Sequence, residues 1–388
     1  MRNAFILLFC LIAAVCGSAK AADAEFGAQL RGMRPPVPAP SQTAGADAPA
    51  GQISAALSRA DICGADGAAL AAAREQRRQK GLKAIEREIR PKFAALVKKY
   101  SLPEPDKDDY VNSAMTSISF TRPYAFNIKL AKEALAAFVR VIEDAVLRHV
   151  ALPDYSKIQS ILTAQINMEP CLAAADKAEL VRRVKLTKLV KPSQYISDYV
   201  MTSGDLWPLI PLATQDQAIN VSYKDMGGAE NPNIERDQSL IVMYPGLFLS
   251  ESRGRDASVH IDFILAHETA HSIDSERFPG LYTRYTDCMK TRYRQNFKVW
   301  DEVLADYWAD AVVAQIIAAD PSSDKLAYLR KSYEIICGTT GENDAISNII
   351  TTAEHPSGNY RIENVLGGNP EILKNLGFQN APASACRP

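Results

Sequence analysis

The sequence predicts a mainly α protein with a small β-sheet, an α+β chain whose helices outnumber its strands. Three observations carry this. Residues 125–150 bring back Ile128, Ala131, Leu135, Phe138, Val139, Ile142, Val146 and Val150 at intervals of three and four, the spacing of one helix face. Segments 257–276, 297–319 and 324–337 read as further long helices. Strand character is confined to Ala218-Ile219-Asn220-Val221-Ser222-Tyr223 and Ser239-Leu240-Ile241-Val242-Met243-Tyr244. Both are bounded by turn formers: Gly227-Gly228, Asn231-Pro232 and Pro245-Gly246.

With 388 residues, 47% hydrophobic and 23% charged, the chain has the composition of a soluble globular protein. Its first residues read differently. Arg2 precedes an apolar run from Ala4 to Val15, and Ala19-Lys20-Ala21 and Ala22-Asp23-Ala24 follow as cleavage sites. This is the pattern of a secretory signal peptide over 1–21. The apolar run is shorter than the roughly 20 residues a membrane span needs. Export to a periplasmic or extracellular space is therefore expected, with no stable membrane span. Removing 1–21 leaves 42 basic and 45 acidic side chains, a net charge of −3. That balance offers no footprint for nucleic acid. Five cysteines remain, Cys63, Cys171, Cys288, Cys337 and Cys386. An oxidising compartment favours bridges among them, and an odd number leaves at least one unpaired within the chain.

Residues 22–52, with Pro35-Pro36-Val37-Pro38-Ala39-Pro40, have linker composition. Residues 53–210 form a helical region: basic, alanine-rich segments over 53–100 interrupted at Pro91, then helices near 125–150, 155–167 and 173–190. After Pro208 and Pro211 the strands begin, so 211–388 reads as a second domain.

That second part holds His267-Glu268-Thr269-Ala270-His271. On a helix, residues four apart share a face, so both imidazoles can reach one cation. Glu268 is turned one residue further round, where it can meet a water without ligating the metal. A catalytic zinc takes three protein ligands and keeps one position open. The extended His-x-x-Gly-x-x-His spacing is absent, since Asp274 and Arg277 occupy those positions. The third ligand is then a carboxylate on a later helix. Trp300-Asp301-Glu302-Val303-Leu304-Ala305-Asp306 supplies it: Glu302 as ligand, with Asp306 one turn on to accept a proton from the far nitrogen of a ligating His. The bland alternative is a solvated acidic stripe of Asp301, Glu302, Asp306 and Asp310. His260, on the first helix, reads as a structural or surface histidine.

These residues resemble the neprilysin and endothelin-converting-enzyme family of metallopeptidases over about 215–388. His267-Glu268-Thr269-Ala270-His271-Ser272-Ile273-Asp274 is similar to its His-Glu-x-x-His-x-x-Asp. Glu302-Val303-Leu304-Ala305-Asp306 is similar to its Glu-x-x-x-Asp. His355-Pro356-Ser357-Gly358-Asn359-Tyr360-Arg361 resembles the segment carrying a transition-state His and a substrate-binding Arg. Asn220-Val221-Ser222-Tyr223 resembles the Asn-Ala-x-Tyr substrate strand, with Val for Ala. The region before 215 is far shorter than the helical region of that family.

The resemblance implies a zincin-type catalytic domain with one zinc per chain on His267, His271 and Glu302. Catalysis would fall to Glu268 and His355, with Asp306, and Asp274 and Asp306 would support the ligands. Asn220, Val221 and Arg361 would hold a peptide substrate, and Phe263 and Ile264 would help form an apolar pocket, giving cleavage on the N-terminal side of hydrophobic residues. It also implies bridges Cys288–Cys386 and Cys63–Cys337. Two other readings stay open: a zinc peptidase of another gluzincin branch, and a non-enzymatic exported binding protein on a zincin fold. The oligomeric state has no sequence signal.

Overall fold

A computed structural model describes residues 59–64, 67–148, 150, 153–169, 172–212, 214, 217–249, 259–274, 300–319, 324–337, 358 and 361–376. The segments expected as signal peptide and linker lie outside these residues. The described residues all fall within one compact unit of the chain.

The first long helix, α1 (Gly67–Lys99), runs through Pro91 without a break, against the expected interruption. A proline inside a helix costs about 3 kcal/mol. Here Ile89 and Phe93 flank it, both fully buried, and their burial, at roughly 1.5–3 kcal/mol each, offsets that cost. After α2 (Tyr110–Phe120) and the single turn Arg122–Ala125, the amphipathic segment forms α3 (Ile128–Leu147). Asn127 caps it, its side chain accepting from the Leu130 N–H at 3.2 Å. Of the stripe named from sequence, Ala131, Leu135, Phe138, Val139, Ile142 and Val146 are buried, while Ile128 and Val150 (beyond the helix end) are half-buried; Phe138 lies edge-on to Phe93 of α1, centroids 4.8 Å apart. Helix α4 (Tyr155–Met168) follows, capped by Asp154, and then α5 (Ala174–Leu186).

The helix expected over 173–190 stops at Leu186, and Lys188–Val190 becomes β1. Next comes α6 (Pro192–Asp198), whose first turn is held by a buried carboxylate: Glu143 of α3 accepts from the Ser193 N–H at 2.7 Å and its hydroxyl at 2.6 Å. Strands β2 (Ala218–Ser222) and β3 (Ser239–Met243) complete a three-stranded sheet of order β1-β3-β2. β1 is parallel to β3, Leu189 opposite Ile241. β2 is antiparallel to it, Asn220 opposite Ile241. Every residue of central β3 is buried, which explains its unbroken apolar run. β2 is an edge strand.

Two helices pack along each other beside this sheet: α7 (Val259–Ala270), continued by a 3₁₀ turn over His271–Ile273, and α8 (Trp300–Ala319). Helix α4, from the first half of the chain, packs on both. Thr269 of α7 donates to the Tyr155 hydroxyl at 3.2 Å, and Tyr307 of α8 donates to Glu169 at 3.0 Å. Helix α9 (Lys325–Ser332), the turn Glu334–Cys337, a π-helical turn Arg361–Leu366 and α10 (Pro370–Asn375) close the fold. Cys63 and Cys337 lie at disulfide distance, S–S 2.09 Å, the pair the resemblance implies. Cys171, Cys288 and Cys386 lie outside the described residues. The stripe of α3 faces α1, α6 and the 3₁₀ turn Pro245–Phe248.

Candidate metal centre

His267 and His271 stand one helical turn apart, both buried on the side of α7 that faces α8. Glu302, in the first turn of α8, meets them. The His267 and His271 Nε2 atoms are 3.1 Å apart. Glu302 Oε2 lies 3.2 Å from His267 Nε2, and its Oε1 3.5 Å from His271 Nε2. Four-coordinate ligands at about 2.0–2.1 Å from a cation stand about 3.3–3.4 Å from one another. A different carboxylate oxygen is nearest each imidazole, and one donor atom from each of the three residues lies within 4.8 Å of the others, close enough for the group to hold one metal ion.

The partner of His267 Nδ1 is consistent with this. Its Nδ1 lies 2.9 Å from Asp306 Oδ1. With a proton on that nitrogen, Nε2 presents its lone pair towards His271 and Glu302, the polarity a cation needs. Burial alone would lower the basicity of His267. The Asp306 hydrogen bond and the Glu302 carboxylate outweigh burial and carry its pKa up to about 10. Carboxylates that draw a proton that strongly would draw a divalent cation in its place. The imidazole and carboxylate donor set suits zinc among several first-row metals. His271, Asp274 and Asp301 form a second group of candidate ligands that shares His271 with the first.

Asp306 is the pivot behind the centre. Besides His267 it accepts twice from Arg361, Nε to Oδ2 at 2.7 Å and Nη2 to Oδ1 at 2.6 Å. Burial would raise its carboxyl, but Arg361 and His267 hold it down to about 2. The sequence assigns Arg361 to a substrate carbonyl. In the structure a planar fork of two donors is committed to Asp306, the geometry in which guanidinium binds carboxylate best. Asp274 is buried beside His271, but its Oδ2 is 3.8 Å from His271 Nδ1, beyond hydrogen-bond distance.

Glu268 is half-buried on α7. Its backbone carbonyl accepts from the Asn220 side chain at 2.7 Å, which ties edge strand β2 to the metal-site helix. Asn220 is thus at the site. The Val221 side chain, by strand alternation, faces the opposite way and is buried in the core beside β3. Phe263 and Ile264 are also core residues. Phe263 packs on Tyr333 with ring centroids 4.5 Å apart, because a helix wedged between a sheet and two other helices leaves little of its surface for a pocket. His355 lies outside the described residues.

The sequence offers Asp310 only as part of a solvated acidic stripe and carries no signal for Tyr333. Asp310 is instead buried one turn beyond Asp306 and accepts a short hydrogen bond from the Tyr333 hydroxyl. Burial first, and then the Asp306 charge, push its carboxyl well above the usual range. The spacing of four from Asp306 was the available signal for Asp310; Tyr333 had none. Among the described residues, no helix is long and apolar enough to cross a membrane. No family model, curated protein or solved structure matches the chain.

Proposed function

We propose that this chain is a zinc-dependent endopeptidase of the neprilysin-like, zincin-type kind, acting on oligopeptides. The observation that supports it is the convergence of His267 Nε2, His271 Nε2 and the Glu302 carboxylate within 3.1–3.5 Å of one another, with Glu268 next to the first of them on the same helix. A zinc ion held there would supply Lewis acidity and make water a nucleophile near neutral pH. Glu268 would take a proton from the attacking water as its oxygen bonds to the peptide carbonyl carbon, and would hand that proton to the leaving amine as the carbon–nitrogen bond breaks. Asp306 keeps His267 in the ligating tautomer, and Arg361 keeps Asp306 ionised.

An extended peptide can add to the outer edge of β2, where main-chain hydrogen bonds give affinity without demanding a sequence. The Asn220–Glu268 contact sets that edge at the distance of the catalytic helix. By resemblance, His355 stabilises the oxyanion.

The test is zinc content and peptide cleavage on purified protein. About one zinc per chain is expected. Glu268→Gln should retain the metal and lose cleavage. Full activity in that variant, or no metal in the parent, sinks the reading.

A further inference from the structure

We propose that the turn joining α2 to α3 is a docking surface for an anionic lipid headgroup layer. The surface is independent of the metal centre. Phe120, the last residue of α2, is 70% exposed, Phe126 is 86% exposed and Leu130 is 39% exposed. Isolated exposed apolar residues are ordinary, but adjacent ones mark an interaction site. These three fall within eleven consecutive residues around the single turn Arg122–Ala125, and Pro123 between them is exposed as well.

The charge around them is mostly positive. From Tyr110 to Lys132 there is no acidic residue. Arg122 and Lys129 are exposed beside the two phenylalanines. The Tyr124 hydroxyl donates to the Tyr100 carbonyl at 2.8 Å. That bond brings the C-terminal end of α1, with exposed Lys98 and Lys99, against the same turn. Glu133, 4.0 Å from Lys99, is the acid at its border. The whole chain is close to neutral, with a formal charge of −1, so this basic cluster is local.

Protruding aromatics ringed by Lys and Arg match a bilayer interface: the rings enter the boundary between headgroups and acyl chains, and the cations meet anionic headgroups. A phenylalanine with 86% of its surface in solvent stands on a convex turn. A deformable lipid surface receives such a protrusion, whereas a protein partner must supply a fitted pocket.

The test is vesicle co-sedimentation of the chain begun at Ala22, the form left after the expected signal peptide. Vesicles are phosphatidylcholine alone or phosphatidylcholine with phosphatidylglycerol. Binding to the anionic vesicles is expected, weakened by salt. Phe120→Ser with Phe126→Ser, and separately Arg122→Glu with Lys129→Glu, should each weaken it about tenfold or more. All four side chains are exposed, so melting curves should match the parent. Equal binding to neutral vesicles, or unchanged binding in both double variants, would overturn the proposal. So would an absence of binding to the anionic vesicles, whatever the phenylalanine changes do to the oligomeric state.

Discussion

Removing the Arg361 guanidinium tests whether Asp306 is held as the structure holds it. Arg361→Ala deletes two charge-assisted hydrogen bonds of 2.7 and 2.6 Å and leaves Asp306, 2% exposed, with His267 as its named partner. Breaking a buried pair by removing one member costs about 3–5 kcal/mol, because the remaining charge is left in a poorly solvating interior. The unpaired carboxylate would also share its proton with His267 on different terms, so metal affinity should fall about 10–100-fold, as with other losses behind a ligand. Arg361→Lys, which keeps the charge but not the fork, should fall between Ala and the parent. The assay is denaturant unfolding of metal-free protein, run as a cycle with Asp306→Asn. The double variant should be less unstable than the sum of the single ones by about 2 kcal/mol. A loss under about 0.5 kcal/mol in Arg361→Ala, within the range of surface changes, would refute the pairing and return Arg361 to a purely substrate-facing role.

Other expectations follow from particular contacts. Gly81→Ala places a methyl 2.2 Å from the Leu249 carbonyl oxygen; overpacking against backbone of about 1–3 kcal/mol should exceed the roughly 1 kcal/mol that helix propensity returns, lowering the denaturation midpoint. Asp262, half-buried and hydrogen-bonded to the Tyr328 hydroxyl at 3.0 Å, has its pKa raised by desolvation to about 6. An acid whose folded pKa lies above its unfolded value binds its proton more tightly when folded. Stability should therefore decline between about pH 4 and pH 6, by up to ~3 kcal/mol. Asp262→Asn should flatten that slope in unfolding experiments, and an unchanged slope would refute the assignment. Cys63→Ser with Cys337→Ser opens a link across 274 positions and should cost about 2–4 kcal/mol in non-reducing unfolding; reducing agent should erase the difference between the parent and the variant.

Elements whose signal is local could be read from the sequence alone. The buried stripe of α3 was legible because its apolar residues repeat at helical period, and β3 because a short run of apolar, mostly branched residues sits between turn formers. The candidate metal-binding cluster was legible for the same reason: His267 and His271 lie four apart along one helix and its continuing turn, and Glu302 and Asp306 four apart on another helix. Tertiary structure decided whatever depends on partners distant in sequence. β1 took three residues from an expected helix because β3 offered them a ladder to join. Pro91 did not break α1 because Ile89 and Phe93 found buried places on either side of it. Arg361 bound Asp306, and Asp310 found Tyr333, across separations of 55 and 23 residues. A charged side chain declares its type in the sequence, but its partner is set by which backbones pack together, and in a buried site the cost of an unpaired charge makes that packing decisive.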